Sequence, residues 1–109
     1  MDIRWKAWLV FQEKAVGGSG LINLLKAIQH YGSLNQAAQN LGISYRQAWG
    51  RLRKAEIALQ RELVYKQTGG ENGGGMILTE DGERLLLFFE QLTAEMEAVI
   101  RHWQQRKPF

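Results

Sequence analysis

The chain has 109 residues, 45% of them hydrophobic, with a single proline and a formal net charge of +3. That is enough apolar material for one packed core and too little bias for disorder or a fibrous repeat. Having no cysteine, it excludes disulfides, thiolate metal sites and a cysteine nucleophile, which suits a reducing cytoplasm.

Residues 3–12 alternate, with Ile3, Trp5, Ala7, Leu9 and Phe11 on one side and Arg4, Lys6, Trp8, Val10 and Gln12 on the other, which predicts an N-terminal strand. Gly17-Gly18-Ser19-Gly20 reads as a breaker. Leu21, Leu24, Leu25 and Ile28 then recur at helical spacing, for a helix from about Ser19 to Tyr31 closed by Gly32. Ser33, with Gln36 three residues on, opens a short helix lined by Leu34, Ala37, Ala38 and Leu41 and stopped by Gly42. Ser44, with Gln47 three residues on, opens a third, whose buried stripe is Ala48, Leu52, Ala55 and Leu59.

Leu63 to Gln67 reads as a strand, residues 68–75 as a glycine-rich connection, and Met76 to Leu78 as a short returning strand. Thr79 caps a long last helix with Glu80, Asp81 and Glu83 in its first turn, where carboxylates suit the helix dipole. The order is strand, three helices, hairpin, long helix. The expected fold is mainly α with a small β-hairpin wing: a winged helix-turn-helix over 19–78, preceded by the strand at 3–12 and followed by a helix over 79–106, in one domain.

The segment from Asn35 to Glu56 carries the functional argument. Two helices crossing steeply need a small residue at their contact, which Ala38 supplies. The turn between them needs a residue tolerant of positive φ, which Gly42 supplies, with Ile43 plugging the turn into the core. The outer face of the second helix then presents Tyr45, Arg46, Trp49 and Arg53, flanked by Gln47, Gly50 and Lys54, and in this motif that face enters the major groove of DNA. From Ser44 to Gln67 six basic residues stand against two acidic ones, a local surplus of four that exceeds the whole-chain surplus.

Ser44-Tyr45-Arg46-Gln47-Ala48-Trp49, the run from Thr68 to Gly75, and Leu78-Thr79-Glu80-Asp81-Gly82 resemble the N-terminal DNA-binding domain of the molybdate-responsive regulator (ModE) family, itself similar to the DNA-binding half of LysR-type regulators. The resemblance covers about 17–92. It implies Ser44, Tyr45, Arg46 and Trp49 on a reading helix, the loop from Thr68 to Gly75 as the wing, and dimerisation through the last helix. That family often has Lys where Arg46 stands and Pro where Glu80 stands; neither change removes the mechanism. Its full regulators carry C-terminal oxyanion-binding domains that have no counterpart up to Phe109, so molybdate sensing is not carried over.

The expected DNA contacts are Ser44, Tyr45, Arg46, Gln47, Trp49, Gly50, Arg51, Arg53, Lys54, Lys66, Thr68, Gly69, Gly70 and Asn72. Arg46, near the start of the reading helix, is assigned a base edge before a phosphate. Arg51 and Lys54 suit phosphate or solvent, and Lys66 suits phosphate. Trp49 either stacks on a sugar or base or packs under the wing. Gly50, costly in mid-helix, reflects either close approach to a phosphate or, slightly favoured, close helix packing. On the last helix Leu85, Phe89, Leu92, Met96, Val99 and Trp103 are spaced alternately four and three apart, the seam of a two-helix dimer, with Leu86, Phe88 and Ile100 widening it.

The expected function is therefore a homodimeric, sequence-specific regulator whose partner is double-stranded DNA, with room for a separate effector-sensing protein. A second class, a winged-helix protein-interaction module without DNA binding, is motivated by Trp5, Trp8 and the last-helix seam. No nucleophile-base pair or cofactor loop emerges, so neither an enzyme nor a cofactor is expected. His30 and His102 stand alone, without a metal cluster. Apolar runs such as Leu85 to Phe89 fall short of the ~20 residues of a membrane span, and the first residues carry no signal pattern, so a cytoplasmic protein is expected.

Overall fold

The computed structural model describes residues 1–67 and 74–109. Strands β1 (Trp8–Phe11) and β2 (Lys14–Gly18) form one antiparallel hairpin. Helices α1 (Ser19–Tyr31), α2 (Leu34–Leu41) and α3 (Tyr45–Leu59) follow, then the antiparallel hairpin β3 (Val64–Gln67) and β4 (Gly75–Leu78), and finally α4 (Glu80–Gln104). This is the winged helix-turn-helix read from the sequence, with the long last helix in place.

The helix boundaries sit where the local chemistry puts them. Gly32 and Gly42 take the left-handed conformation at φ 71° and 69° and close α1 and α2. The Ser33 hydroxyl accepts from Gln36 N. Ser44 and Gln47 complete a reciprocal box, in which Ser44 Oγ accepts from Gln47 N at 3.0 Å and Gln47 Oε1 accepts from Ser44 N at 2.9 Å. Gly42 N and Ile43 N donate back to Gln39 O and Ala38 O, fixing the turn between α2 and α3.

One core runs through the three helices, both hairpins and the root of α4. Leu24, Leu25, Ile28 and Leu52 are fully enclosed, and Ala37, Ala48 and Ala55 let the helices approach closely. Leu63, Met76, Leu86 and Phe89 close the core from the side of β3, β4 and α4. Glycine is required at Gly82, because an added Cβ would collide with Leu63 O.

The N-terminal region departs from the expected single strand. Residues 1–7 form no ladder, although Ile3, Trp5, Ala7 and Leu9 are shielded and Asp2, Arg4, Lys6 and Trp8 exposed, as the alternation requires. Pairing begins at Trp8 and turns back through Gln12 and Glu13. The glycine stretch holds the boundary between strand and helix: Gly17 and Gly18 end β2, and Ser19 begins α1. The pairing skips Val16 between Leu9↔Gly17 and Val10↔Ala15, and Val16 is buried. A bulge of this kind re-aims one side chain. Both turn residues have positive φ, 48° and 69°, a geometry that asparagine and glycine favour and that Gln-Glu does not signal.

The chain termini meet beside the far end of α4. Gln104 Oε1 accepts from Ile3 N at 2.9 Å, its Nε2 donates to Met1 O and Asp2 Oδ1, and the Met1 ammonium donates to Phe109 O at 3.0 Å.

Candidate nucleic-acid interface

Helix α3 is held by Ala48, Leu52, Ala55 and Ala58, all buried, so its opposite side is left to solvent. On that side Arg46, Gly50, Arg53 and Ile57 follow one another at spacings of four, three and four, a single exposed stripe. Tyr45 and Lys54 are exposed beside it. Arg46 is partnered by no protein group through a hydrogen bond or ion pair among the described residues, while Arg53 stands 3.8 Å from Glu56.

The remaining expected contacts sort by geometry. The backbone amide of Ser44 and the side chain of Gln47 are engaged in the cap, so both order the start of α3 before touching anything else. Trp49 is half-buried against the core, with Tyr45 edge-on at 6.4 Å between ring centroids and Lys66 Nζ 5.4 Å from its ring centre. It packs beside Lys66 of β3, with part of the ring still open to solvent. A Cβ on Gly50 would meet nothing within 4 Å. The helix-packing explanation for this glycine therefore fails: it leaves a bare patch of backbone between Arg46 and Arg53. Arg51 turns away from the stripe, its guanidinium reaching Gly20 O at 3.5 Å near the start of α1. Thr68, Gly69, Gly70 and Asn72 lie outside the described residues.

The seam on α4 divides. Phe89 and Leu86 are buried in the chain's own core and Leu85 packs against it. Leu92 and Met96 are half-buried. Leu87, Phe88, Val99 and Trp103 are open, 58%, 56%, 48% and 54% exposed. The first turns of α4 therefore serve the chain's own core, because Gly82 draws them onto Leu63.

One residue escaped sequence reasoning. Among the described residues Glu56 is the only charged side chain that is buried, and its Oε2 accepts from Leu63 N at 2.8 Å. Its position was the available signal: it lies four residues after Leu52, beside the apolar stripe.

Residues 20–83 match the model of the bacterial regulatory helix-turn-helix protein, lysR family. The chain belongs to the LysR-type helix-turn-helix family. Within it, the likeness to molybdate-responsive regulators holds. The Transcriptional regulator ModE of Haemophilus influenzae is 45% identical over 76 residues, 70% of this chain and 30% of that protein. The DNA-binding transcriptional dual regulator ModE of Escherichia coli K12 is 38% identical over 84 residues, 77% of this chain and 32% of that protein. This LysR-type chain thus spans about a third of the length of the curated relatives it matches. Among solved structures, ArgP from Mycobacterium tuberculosis superposes with a TM-score of 0.58 at 23% identity, over 75% of this chain and 29% of that one. An S. aureus MepR mutant bound to an oligodeoxyribonucleotide gives 0.56 at 23% identity, over 76% and 60%. These two likenesses concern the fold. Among the described residues no helix of this LysR-type chain is long and apolar enough to cross a membrane.

Proposed function

We propose that the protein is a sequence-specific, double-stranded DNA-binding transcription regulator that reads the major groove with α3 and acts as a homodimer in the cytoplasm. The observation that carries this reading is the exposed stripe Arg46–Gly50–Arg53 on a helix whose first turn is locked by a full capping box. A groove-reading helix holds its N-terminal side chains toward base edges, and a capped first turn bearing this stripe supports that role. Relatives named as transcriptional regulators support the same assignment.

Arg46 is assigned to a base edge, most simply the O6 and N7 of guanine, which a guanidinium engages with two hydrogen bonds. Arg53, Lys54 and Lys66 are assigned to phosphates, with Tyr45 contributing at the helix start and Gly50 admitting the duplex close to the backbone. Ser44 and Gln47 position this edge. Thr68, Gly69, Gly70 and Asn72 belong to the proposed wing. Residues 19–78 are assigned to DNA and 79–106 to dimerisation, with Leu92, Met96, Val99 and Trp103 nearest the partner and Leu85 and Phe89 supporting them from the core side. The assignment leaves room for a separate effector-sensing protein as a further partner.

The test is selection of bound duplexes from random DNA, then titration of the selected site with wild type, Arg46→Ala and Arg53→Ala. Each substitution is expected to weaken binding about tenfold or more, and wild-type affinity should fall steeply with salt. Unchanged affinity in both variants overturns the reading. Failure to retain DNA at all, together with capture of a stable protein partner, would favour the interaction-module reading, which the exposed Trp8 and Val10 of β1 support.

A further inference from the structure

The geometry points to Glu56 as a positioning residue that sets the β3–β4 hairpin in its working place beside α3. This rests on the DNA-reading assignment above. Burial of a carboxylate is costly unless its oxygens are satisfied, and Glu56 is buried to 9% exposure on a helix otherwise lined with alanine and leucine. One of its oxygens is used inward, accepting from Leu63 N at 2.8 Å. The other faces Arg53 at 3.8 Å, whose side chain is 65% exposed. The short buried bond is the stronger of the two interactions, since 3.8 Å is beyond hydrogen-bond range.

Leu63 is the post from which the hairpin springs. Its carbonyl accepts from Thr79 N at 2.9 Å and abuts Gly82, while Thr79 Oγ1 donates to Glu62 O at 2.7 Å. The next residue, Val64, pairs with Leu78, so both ends of the hairpin are rooted at this peptide. Two residues further along β3 than Val64, Lys66 lies over Trp49 of α3. The tether from Glu56 to Leu63 therefore fixes where Lys66 and the base of the wing stand relative to the Arg46–Arg53 stripe. Releasing it frees the root of the hairpin while leaving every candidate DNA-contacting side chain in the sequence.

The test compares Glu56→Gln, Glu56→Asp and Glu56→Ala on the selected duplex, at a temperature where circular dichroism shows each to be folded. Glutamine keeps an acceptor of the same reach, whereas aspartate keeps the charge but is one methylene short of Leu63 N. Glu56→Gln is expected to bind within about twofold of wild type, and Glu56→Asp and Glu56→Ala about tenfold more weakly. In a Lys66→Ala background the Glu56→Ala effect should shrink to about threefold or less, because the two changes act on one contact. A purely structural role would lower the melting temperature and leave the affinity of folded protein unchanged.

The proposal is overturned if folded Glu56→Asp binds like wild type, if Glu56→Gln is the weaker of the two, or if the Glu56→Ala effect is undiminished without Lys66. Should Glu56→Ala fail to fold, the glutamine and aspartate variants decide alone. Exchange of the Leu63 amide, slow in wild type and Glu56→Gln and fast in Glu56→Asp, reads the tether without DNA. A wild type that binds no duplex while showing this exchange pattern refutes the DNA reading rather than the tether.

Discussion

At the scale of single residues, the proposed DNA-reading stripe makes opposing demands at one position. Gly50 sits in mid-helix with open space around it. Gly50→Ala is therefore expected to raise stability by about 1 kcal/mol, measured by urea unfolding, while weakening DNA binding because a methyl group now stands on the face proposed to meet the duplex. A variant that gains stability and keeps its affinity would show that the glycine serves no contact. Arg46 and Lys66 should differ in kind. Arg46→Ala should relax the preference at one base pair, whereas Lys66→Ala should weaken all sequences alike and reduce the salt slope by about 1. The outward placement of Arg46, Gly50 and Arg53 on α3 was legible in the sequence, since helical spacing from Ala48 and Leu52 fixes which residues of that helix point out. The inward turn of Arg51 toward Gly20 was not, because a borderline helix position is decided by the neighbouring helix and not by periodicity. Glu56 was missed for a related reason: a glutamate beside the apolar stripe reads as a solvated face until the chain folds Leu63 over it.

At the scale of elements, the capped helices follow from their own residues and the N-terminal hairpin does not. Ser33, Ser44 and Thr79 each accept from the amide three residues on, and each was recognisable as serine or threonine ahead of an apolar pattern. The turn at Gln12 and Glu13 carries no such mark, because its two residues adopt positive φ at a cost that the pairing of β1 with β2 offsets. Replacing them with Asn-Gly should therefore stabilise the protein by about 1 kcal/mol, a rise of several degrees in thermal midpoint. Gly82→Ala should act the other way. A methyl group driven against Leu63 O must move either α4 or the root of β3, and a loss of roughly 2–4 kcal/mol is expected, with the melting curve as the measurement.

At the scale of the molecule, α4 carries two surfaces, one turned to its own core and one to solvent. Phe89→Ala should destabilise the protein by about 3 kcal/mol through the cavity it leaves. Val99→Asp with Trp103→Asp, at half-open positions, should leave the fold intact and shift sedimentation equilibrium of the proposed homodimer toward monomer. A dimer that tolerates this pair would place its interface elsewhere. Heptad spacing alone could not divide the seam, since the same period suits a core and a partner, and only the seating of Gly82 on Leu63 decides which turns face inward. The reach of α4 beyond the core also stretches the particle: its extents are 57 × 30 × 22 Å and its radius of gyration 16.1 Å, against about 13 Å for a compact chain of this length. An object of that shape diffuses slowly for its mass. On a sizing column calibrated with spherical standards a lone protomer would elute early and pass for something heavier, so stoichiometry here must be weighed by light scattering or ultracentrifugation and never inferred from elution volume.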